Sequence, residues 1–412
     1  MPNIFLYPAK PQCTQNSKRL KEPLRFFMSM ERLRFFATTV IGLEDVAAKE
    51  VENLLGGKVE QDVGRIIFEG QVPDIYLLNL KARTINKVFI QLCQSRFANL
   101  EDVYKLAKNL DYQWIIGPEQ SFAVRSQRLG IHNFTSMDVS RVVGQAIIDS
   151  YMNATGTRLK VNLDAPDIEV YCLVRDDEFL MGVNTTGSSL HKRHYRVYNH
   201  PAALKPTIAS AMLRIGEYSP EKFMLDPMCG GATIPIEAAL EAKCIPPGKW
   251  RNDFAFLNLK ICSLEEFERV RAEILAEEIR GLESPFAIYA MEKFAKHLHG
   301  GIENAKKAGV YETINFKIGD ATRVEDYPDV DFDLVVVNPP YGLRANPKEG
   351  VRRLYENFLK TLKAKFADAT LVLITAASKR FKEAAENIGV GVVDERRIWH
   401  GELLTSIFIC KV

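Results

Sequence analysis

Asp333-Leu334-Val335-Val336-Val337-Asn338-Pro339-Pro340-Tyr341 runs four apolar residues into an asparagine, two prolines and an aromatic ring. A strand this apolar buries both of its faces, as strands do in parallel sheets covered by helices on either side. Phe223 to Asp226, Pro285 to Ala290, Thr313 to Gly319 and Thr370 to Thr375 are further strands, with helical segments between them. This is the βαβ rhythm of an open, doubly wound α/β sheet. Such sheets hold their ligands outside the carboxyl ends of the strands.

The end of the 333–338 strand is where chemistry is expected. The prolines fix φ and leave the Pro339 carbonyl without a helical partner. That carbonyl and the Asn338 side chain can both accept from one exocyclic amine, and the Tyr341 ring can stack on a planar base. The first strand ends in Asp226-Pro227-Met228-Cys229-Gly230-Gly231-Ala232-Thr233 and continues as a helix to Lys243. Its small residues admit close approach of a ligand to the backbone, and the helix N-terminus offers free N–H groups. The loop is neither GxGxxG nor a phosphate-binding P-loop. On its own it reads equally as a tight turn. Its pairing with Asn-Pro-Pro-Tyr favours a ligand site.

With 412 residues, the chain exceeds one core at ~150 residues per domain. Residues 1–30, with four prolines and no apolar signal segment, read as a disordered extension. From Arg32 to about Arg96 the order is strand, helix, strand, helix, strand, a small α+β unit of ferredoxin-like type placed at 31–97. A second α/β unit, 98–190, has a strand at Ser121–Ser126, a helix at Ser136–Tyr151 and a hairpin over Ile168–Asn184. Residues 191–412 form the doubly wound domain. All the candidate ligand segments fall there, which predicts that a fragment from about 197 onward binds the ligand alone.

Composition sets limits. The chain is 47% hydrophobic and 26% charged with a net charge of +2, so a histone-like electrostatic binder is excluded and nucleic-acid contact must be local. No run of ~18 apolar residues suits a membrane span. The seven cysteines contain no CxxC pair and read as reduced thiols of a cytoplasmic protein. His297 and His299 occupy different faces of one helix with no third ligand nearby, so no metal is expected.

DPMCGGAT followed by NPPY resembles the S-adenosylmethionine-dependent amino-methyltransferases of the Rossmann-like class. By that resemblance, Asp226, Met228, Cys229, Gly230 and Ala232 hold the cofactor. His200-Pro201-Ala202-Ala203-Leu204 folds over its methionine end, Glu292 binds the ribose hydroxyls, and Asp320 with Ala321 binds adenine. Asn338, Pro339 and Tyr341 are the implied catalytic residues, Asn338 also bordering the cofactor. Two departures stand out. Ala232 replaces the family's glycine, a change expected to alter cofactor affinity slightly. Glu292 lies far beyond the ~20 residues usual after a first strand, and a helix over Ser263–Arg280, capped by Ser263 and Glu266 and ended by Gly281, fills part of that gap.

The stretches SFAVRSQRLGIHNFTSMDVSRVVGQAI, VNLDAPDIEVYCLV and MGVNTTGSSLHKRHYR resemble a THUMP RNA-binding domain. Together these features resemble the THUMP-containing tRNA guanine-N2 methyltransferases that act at position 6 of the acceptor stem. The resemblance implies S-adenosylmethionine as cofactor, tRNA as partner and a monomer. A guanine flipped from a duplex would enter the amine slot. RNA contacts are expected from Arg125, Arg128, Lys192, Arg193, Arg196, Arg352 and Arg353, with Lys348 nearby, because basic residues among aromatics suit phosphates. Three other readings remain: a guanine-N2 enzyme of large-subunit ribosomal RNA, a DNA amino-methyltransferase, and an inactive RNA-binding protein. The THUMP-like half argues against DNA. Intact Glu292, Asp320 and Asn338 argue against inactivity.

Overall fold

The computed structural model describes residues 32–278, 287–342 and 348–412, without the side chains of 348 and 349. The expected extension and the side chain of Lys348 lie outside the described residues; the helix expected over Ser263–Arg280 ends earlier, at Ala276, with Glu277 as its C-cap. The apolar-polar alternation of the first unit produces β1 (Leu33–Thr38), α1 (Glu44–Leu55), β2 (Val59–Asp62), β3 (Arg65–Gly70), α2 (Val72–Lys81) and β4 (Lys87–Arg96). β2, a short strand that the sequence reading does not separate, pairs with β3 across the turn at Gly64, whose φ is +73°. The order β2-β3-β1-β4 is ferredoxin-like, with all neighbours antiparallel.

The second unit comprises α3 (Leu100–Lys108), β5 (Ser121–Leu129), α4 (Ser136–Thr155), β6 (Lys160–Val161), β7 (Ile168–Arg175) and β8 (Glu178–Asn184). It is not a detached domain. β8 pairs antiparallel with β4, from Phe89 opposite Asn184 to Arg96 opposite Glu178. A single eight-stranded sheet, β2-β3-β1-β4-β8-β7-β5-β6, therefore runs through both units. α4 starts from a capping box between Thr135 and Asp138 and ends at Gly156 in the left-handed region, as helices commonly do.

The doubly wound sheet orders its strands β11-β10-β9-β12-β13-β15-β14. Its members are β9 (Met224–Asp226), β10 (Ile288–Glu292), β11 (Ile314–Ile318), β12 (Leu334–Val337), β13 (Thr370–Thr375), β14 (Gly391–His400) and β15 (Leu403–Lys411). β9 to β13 are parallel. The sequence reading stops at β13; β15 inserts antiparallel between β13 and β14. Chain order reverses between β9 and β12, which opens a crevice above their carboxyl ends. The helices flanking the site are α5 (Pro206–Ile215), α6 (Thr233–Ala242), α8 (Ala295–Lys307) and α9 (Lys348–Lys365). α10 (Ser378–Ile388) follows β13.

The segment between α6 and β10 does not belong to the doubly wound core. Phe254 and Phe256 stack at 5.0 Å and meet Phe267 of α7 (Leu264–Ala276) and Tyr76 of α2. These residues join the hydrophobic core of the eight-stranded sheet. Lys81 pairs with Glu277 at 2.7 Å. A fragment starting near 197 would expose this aromatic cluster, so the expectation of an independently folding C-terminal half is not supported. Ser263 caps α7 as expected. Five cysteines, Cys93, Cys172, Cys229, Cys262 and Cys410, are free.

A buried ion cluster joins the two halves. Glu237 of α6 is fully buried and accepts from Arg193 Nε at 3.0 Å, from the Tyr195 hydroxyl at 2.9 Å and from the Ser210 hydroxyl at 2.9 Å. Arg193 also donates to the Arg83 carbonyl at 3.1 Å, and Arg83 donates to the carbonyls of Leu240 and Ile245. Burial alone would raise the Glu237 carboxyl, but Arg193 holds it below its ordinary value. Glu237→Ala would leave Arg193 buried without its counter-charge. Urea unfolding of the whole chain should then show a loss of about 3–5 kcal/mol, largely recovered in Arg193→Met/Glu237→Leu. Because the folded pKa lies below the unfolded one, this contribution is complete above the ordinary carboxyl value of 4.5 and fades only as pH falls further.

Candidate functional site

A cavity of about 540 Å³ opens at the carboxyl ends of β9, β10 and β12, large enough for a nucleoside-sized ligand. Its wall contains His200, Ala202, Ala203, Leu204, Asp226, Met228, Cys229, Gly230, Glu292, Asp320, Ala321, Asn338 and Pro339. These were singled out from sequence on segments more than a hundred residues apart, and the strand order brings them together. Pro201, Ala232 and Tyr341 are not in the wall.

The glycine loop is held from below. Gly230 has φ +51° and Ala232 φ +59°, both in the left-handed region. Ala232, expected to sit in a conformation alanine tolerates, occupies one that costs an L-residue roughly 1–2 kcal/mol. Its methyl group faces Gly301 of α8, where an added Cβ would come within 3.0 Å of it. The neighbouring Gly300 leaves room for the Tyr198 ring, which an added Cβ would meet at 2.3 Å. Asn304, one turn on and buried, has all its hydrogen-bonding capacity engaged. Its carbonyl accepts from the N–H of Val197 and Tyr198; its amide donates to the carbonyls of Tyr198 and Gly231. One side chain thus ties the 197–204 segment to the glycine loop. The sequence reading missed this, although His299-Gly300-Gly301 within a helical pattern signals close packing.

The acids differ in state. Glu292 accepts from the N–H of Gly230 and of Phe294, each at 3.0 Å, so the loop and the end of β10 share one carboxylate. Asp226 is buried and accepts only from the Met228 N–H, at 3.2 Å. Burial pushes its carboxyl well above the usual range, the Met228 hydrogen bond opposes this, and the nearby Glu292 adds to it. Asp320 goes the other way. Burial would raise it, but Lys293 at 2.7 Å and the Thr322 hydroxyl and N–H bring it down to about 2. Lys293 and His297 also line the cavity. His297 accepts or donates at 2.6 Å to the Tyr198 hydroxyl and packs edge-on against His200 at 4.5 Å. His297 thus belongs to the cavity wall, not to the open surface. No group of His, Cys, Asp and Glu among the described residues could hold a metal.

Asn338 is fixed at both ends of its amide. Its nitrogen donates to the Ala202 carbonyl at 3.2 Å, and its oxygen accepts from the Tyr341 hydroxyl at 2.6 Å. Burial pushes the Tyr341 hydroxyl up, with Tyr355 adding to it, so it remains a donor at neutral pH. The hydroxyl of Tyr341, whose ring was expected to stack on a base, orients Asn338.

The basic residues separate into two kinds. Arg193, offered as an RNA contact, is buried on Glu237. Arg196 donates to the Leu204 carbonyl at 2.7 Å and the Thr233 hydroxyl at 3.0 Å, fastening the 197–204 segment to α6. Neither presents its charge to a phosphate. Lys192 and Arg125 are exposed, Arg125 donating to the Leu163 carbonyl. Arg128 donates to the Gly130 carbonyl at 2.9 Å. Arg352 pairs with Glu356 at 3.6 Å, whereas Arg353 lines the cavity.

Comparison with known proteins gives three family matches: "RMKL-like, methyltransferase domain" over residues 193–406, "THUMP domain" over 97–184 and "RlmL ferredoxin-like domain" over 34–89. A protein of Archaeoglobus fulgidus named tRNA (guanine(6)-N2)-methyltransferase is 44% identical, with 92% of each chain covered. A Methanocaldococcus jannaschii protein of the same name is 40% identical over 91% of this chain and 98% of its own. A crystal structure of a possible methylase from Clostridium difficile superposes with a TM-score of 0.83 at 24% identity, covering 92% of this chain and 98% of that one. That likeness concerns the fold. No helix among the described residues is long and apolar enough to cross a membrane.

The strain at Ala232 has a direct readout. Ala232→Gly removes the left-handed penalty of roughly 1–2 kcal/mol against an entropic cost of roughly 0.5–1 kcal/mol for glycine. Thermal unfolding should show a gain of up to about 1.5 kcal/mol; a loss would mean that the alanine methyl packs favourably enough against Gly301 to outweigh the strain.

Proposed function

Since this chain belongs to the RMKL-like methyltransferase family, we propose that it methylates the exocyclic N2 amine of a guanine in tRNA, at position 6 of the acceptor stem, with S-adenosylmethionine as donor. The observation that carries the amine chemistry is Asn338, held by Ala202 and Tyr341 at the cavity wall beside Pro339. The choice of tRNA over ribosomal RNA is supported by the two archaeal relatives named for that substrate.

The residues present fit the cofactor. Gly230 and Gly231 form a floor without side chains, where an added Cβ would meet the His200 ring from Gly230 and the His200 Cβ from Gly231, at 3.4 Å in each case. Buried Asp226 lacks a cationic partner among the described residues, which suits the ammonium of the methionine end. Glu292 takes the ribose hydroxyls, and ionised Asp320 accepts from the adenine amine. When bound, S-adenosylmethionine supplies an electrophilic methyl group. Asn338 Oδ1 keeps one lone pair beyond the Tyr341 hydrogen bond. With the Pro339 carbonyl it accepts both hydrogens of the target amine, raising electron density on a nitrogen otherwise delocalised into the ring. Holding that nitrogen in line with the methyl group is the main catalytic contribution. The methylated amine, briefly cationic, is acidic enough to release its proton after transfer. Among the expected RNA contacts, Lys192 and Arg125 are exposed and suit phosphates.

Asn338→Ala should retain cofactor affinity and lose on the order of 10²–10³ in single-turnover rate on a tRNA transcript. Tyr341→Phe keeps the ring and removes the hydroxyl that orients Asn338, so it should cost roughly tenfold. An unchanged Tyr341→Phe rate would assign the ring, not the hydroxyl, to the reaction. Asp226 gives a pH signature. Burial raises its pKa, so the free protein holds a proton there more tightly than an exposed carboxyl does, and an adjacent ammonium favours its release. Cofactor affinity should therefore rise with pH through that group's range, and calorimetry in buffers of different ionisation enthalpy should record proton release. Asp226→Asn should abolish the release.

A further inference from the structure

An amine slot built from Asn338 and Pro339 accepts two N–H groups and is blind to the rest of the base. It would hold adenine N6 as readily as guanine N2. If the target is guanine, as proposed above, another element has to tell the two apart. α9 borders the same cavity as the slot. Gly350, Arg353, Leu354 and Asn357 line the same cavity as Asn338, Pro339 and Pro340. They are spaced i, i+3, i+4, i+7 and so form one stripe of the helix. Arg352, one residue away, points elsewhere and pairs with Glu356 at 3.6 Å. Arg353 and Asn357 have no hydrogen-bond or ion-pair partner among the described residues, although they are the only long polar side chains of the stripe.

We propose that this stripe reads the guanine ring, with Arg353 donating to O6 and Asn357 accepting from N1–H. The inference rests on the guanine-N2 reading and extends it to the discriminating residues. The assignment follows from base chemistry. Beside its N2 amine guanine carries N1–H, a donor, and beyond it O6, an acceptor. An adenine with N6 in the slot presents a lone pair at N1 and a C–H beyond it. A guanidinium offers five donors and no acceptor, and it suits the O6/N7 edge of guanine. The amide carbonyl of Asn357 supplies the acceptor for N1–H. Gly350 leaves room for the ring and Leu354 gives it an apolar contact. A base lacking O6 and N1–H leaves these polar groups unpaired, which is how sites reject near-isosteres.

The test uses the full chain and two tRNA transcripts, one with guanine at position 6 and one with 2,6-diaminopurine there. The analogue keeps the N2 amine, replaces O6 with a donor and removes the N1 hydrogen. Single-turnover methylation by the wild type should favour guanine by at least about tenfold. Arg353→Ala and Asn357→Ala should each lower the guanine rate by roughly 10- to 100-fold and bring the guanine-to-analogue ratio close to one. Asn357→Asp retains an acceptor, so it should preserve the guanine preference. Arg352→Ala should leave the ratio where it was. A ratio unmoved in both Arg353→Ala and Asn357→Ala would overturn the inference while leaving the guanine reading intact. No methylation of the guanine transcript by the wild type would overturn that reading, and the inference with it, before any variant is compared.

Discussion

A carboxylate removed from water must be neutralised where it sits, and Glu237 imposes that requirement on the whole molecule. It lies on the helix that rises out of the glycine loop. Its charge is met by Arg193 from the connecting segment and by hydroxyls of Tyr195 and Ser210, with Arg83 of the ferredoxin-like unit close by at 3.9 Å. Each donor fixes one path of the chain. Arg193 and Tyr195 set the direction of the segment that becomes the 197–204 wall, Ser210 positions α5, and Arg83 brings in the N-terminal half. Left uncompensated, the charge would cost several kcal/mol, so these parts are held in one arrangement. The cavity is a product of that arrangement.

The wall itself repeats the strategy with neutral groups. Asn304 uses two donors and two acceptor positions to close the gap between the 197–204 segment and the glycine loop. Glu292 bridges the loop and the end of β10 through two N–H groups. The Tyr341 hydroxyl and the Ala202 carbonyl immobilise Asn338. Backbone that would otherwise be a set of mobile loops is bonded into a rigid rim, and rigidity at the reacting centre is what in-line transfer requires.

Much of this was legible in the sequence, for definable reasons. The apolar run before Asn338 is that of a covered parallel strand, and the glycine loop, equally a tight turn on its own, takes its meaning from the Asn-Pro-Pro-Tyr that follows such a strand. Nearly all the cofactor residues that the family resemblance implies line one cavity. The misreadings concern residues whose role is decided by distant partners. Arg193 sits in a run of basic residues that looks like a surface patch; only Glu237, in another element, makes it internal. The hydroxyl bond from Tyr341 to Asn338, three residues away, has no mark in the sequence. The aromatic insert around Phe254 and Phe267 carries no mark of the core it joins, because that core is built from residues of the other half. β14 and β15 were missed because the rhythm of alternating helix and strand ends at β13.

The pairing of β4 with β8 joins the ferredoxin-like unit to its neighbour through main-chain hydrogen bonds. Main-chain bonds are indifferent to side-chain identity. Substitutions along either strand can accumulate without altering the angle or the span between the two units, so long as neither strand slips in register. The bulge between Gln91 and Cys93 helps to pin that register. Inheritance of the spacing is therefore decoupled from inheritance of the sequence: a lineage can drift far in composition while a distance set by the backbone is transmitted unchanged.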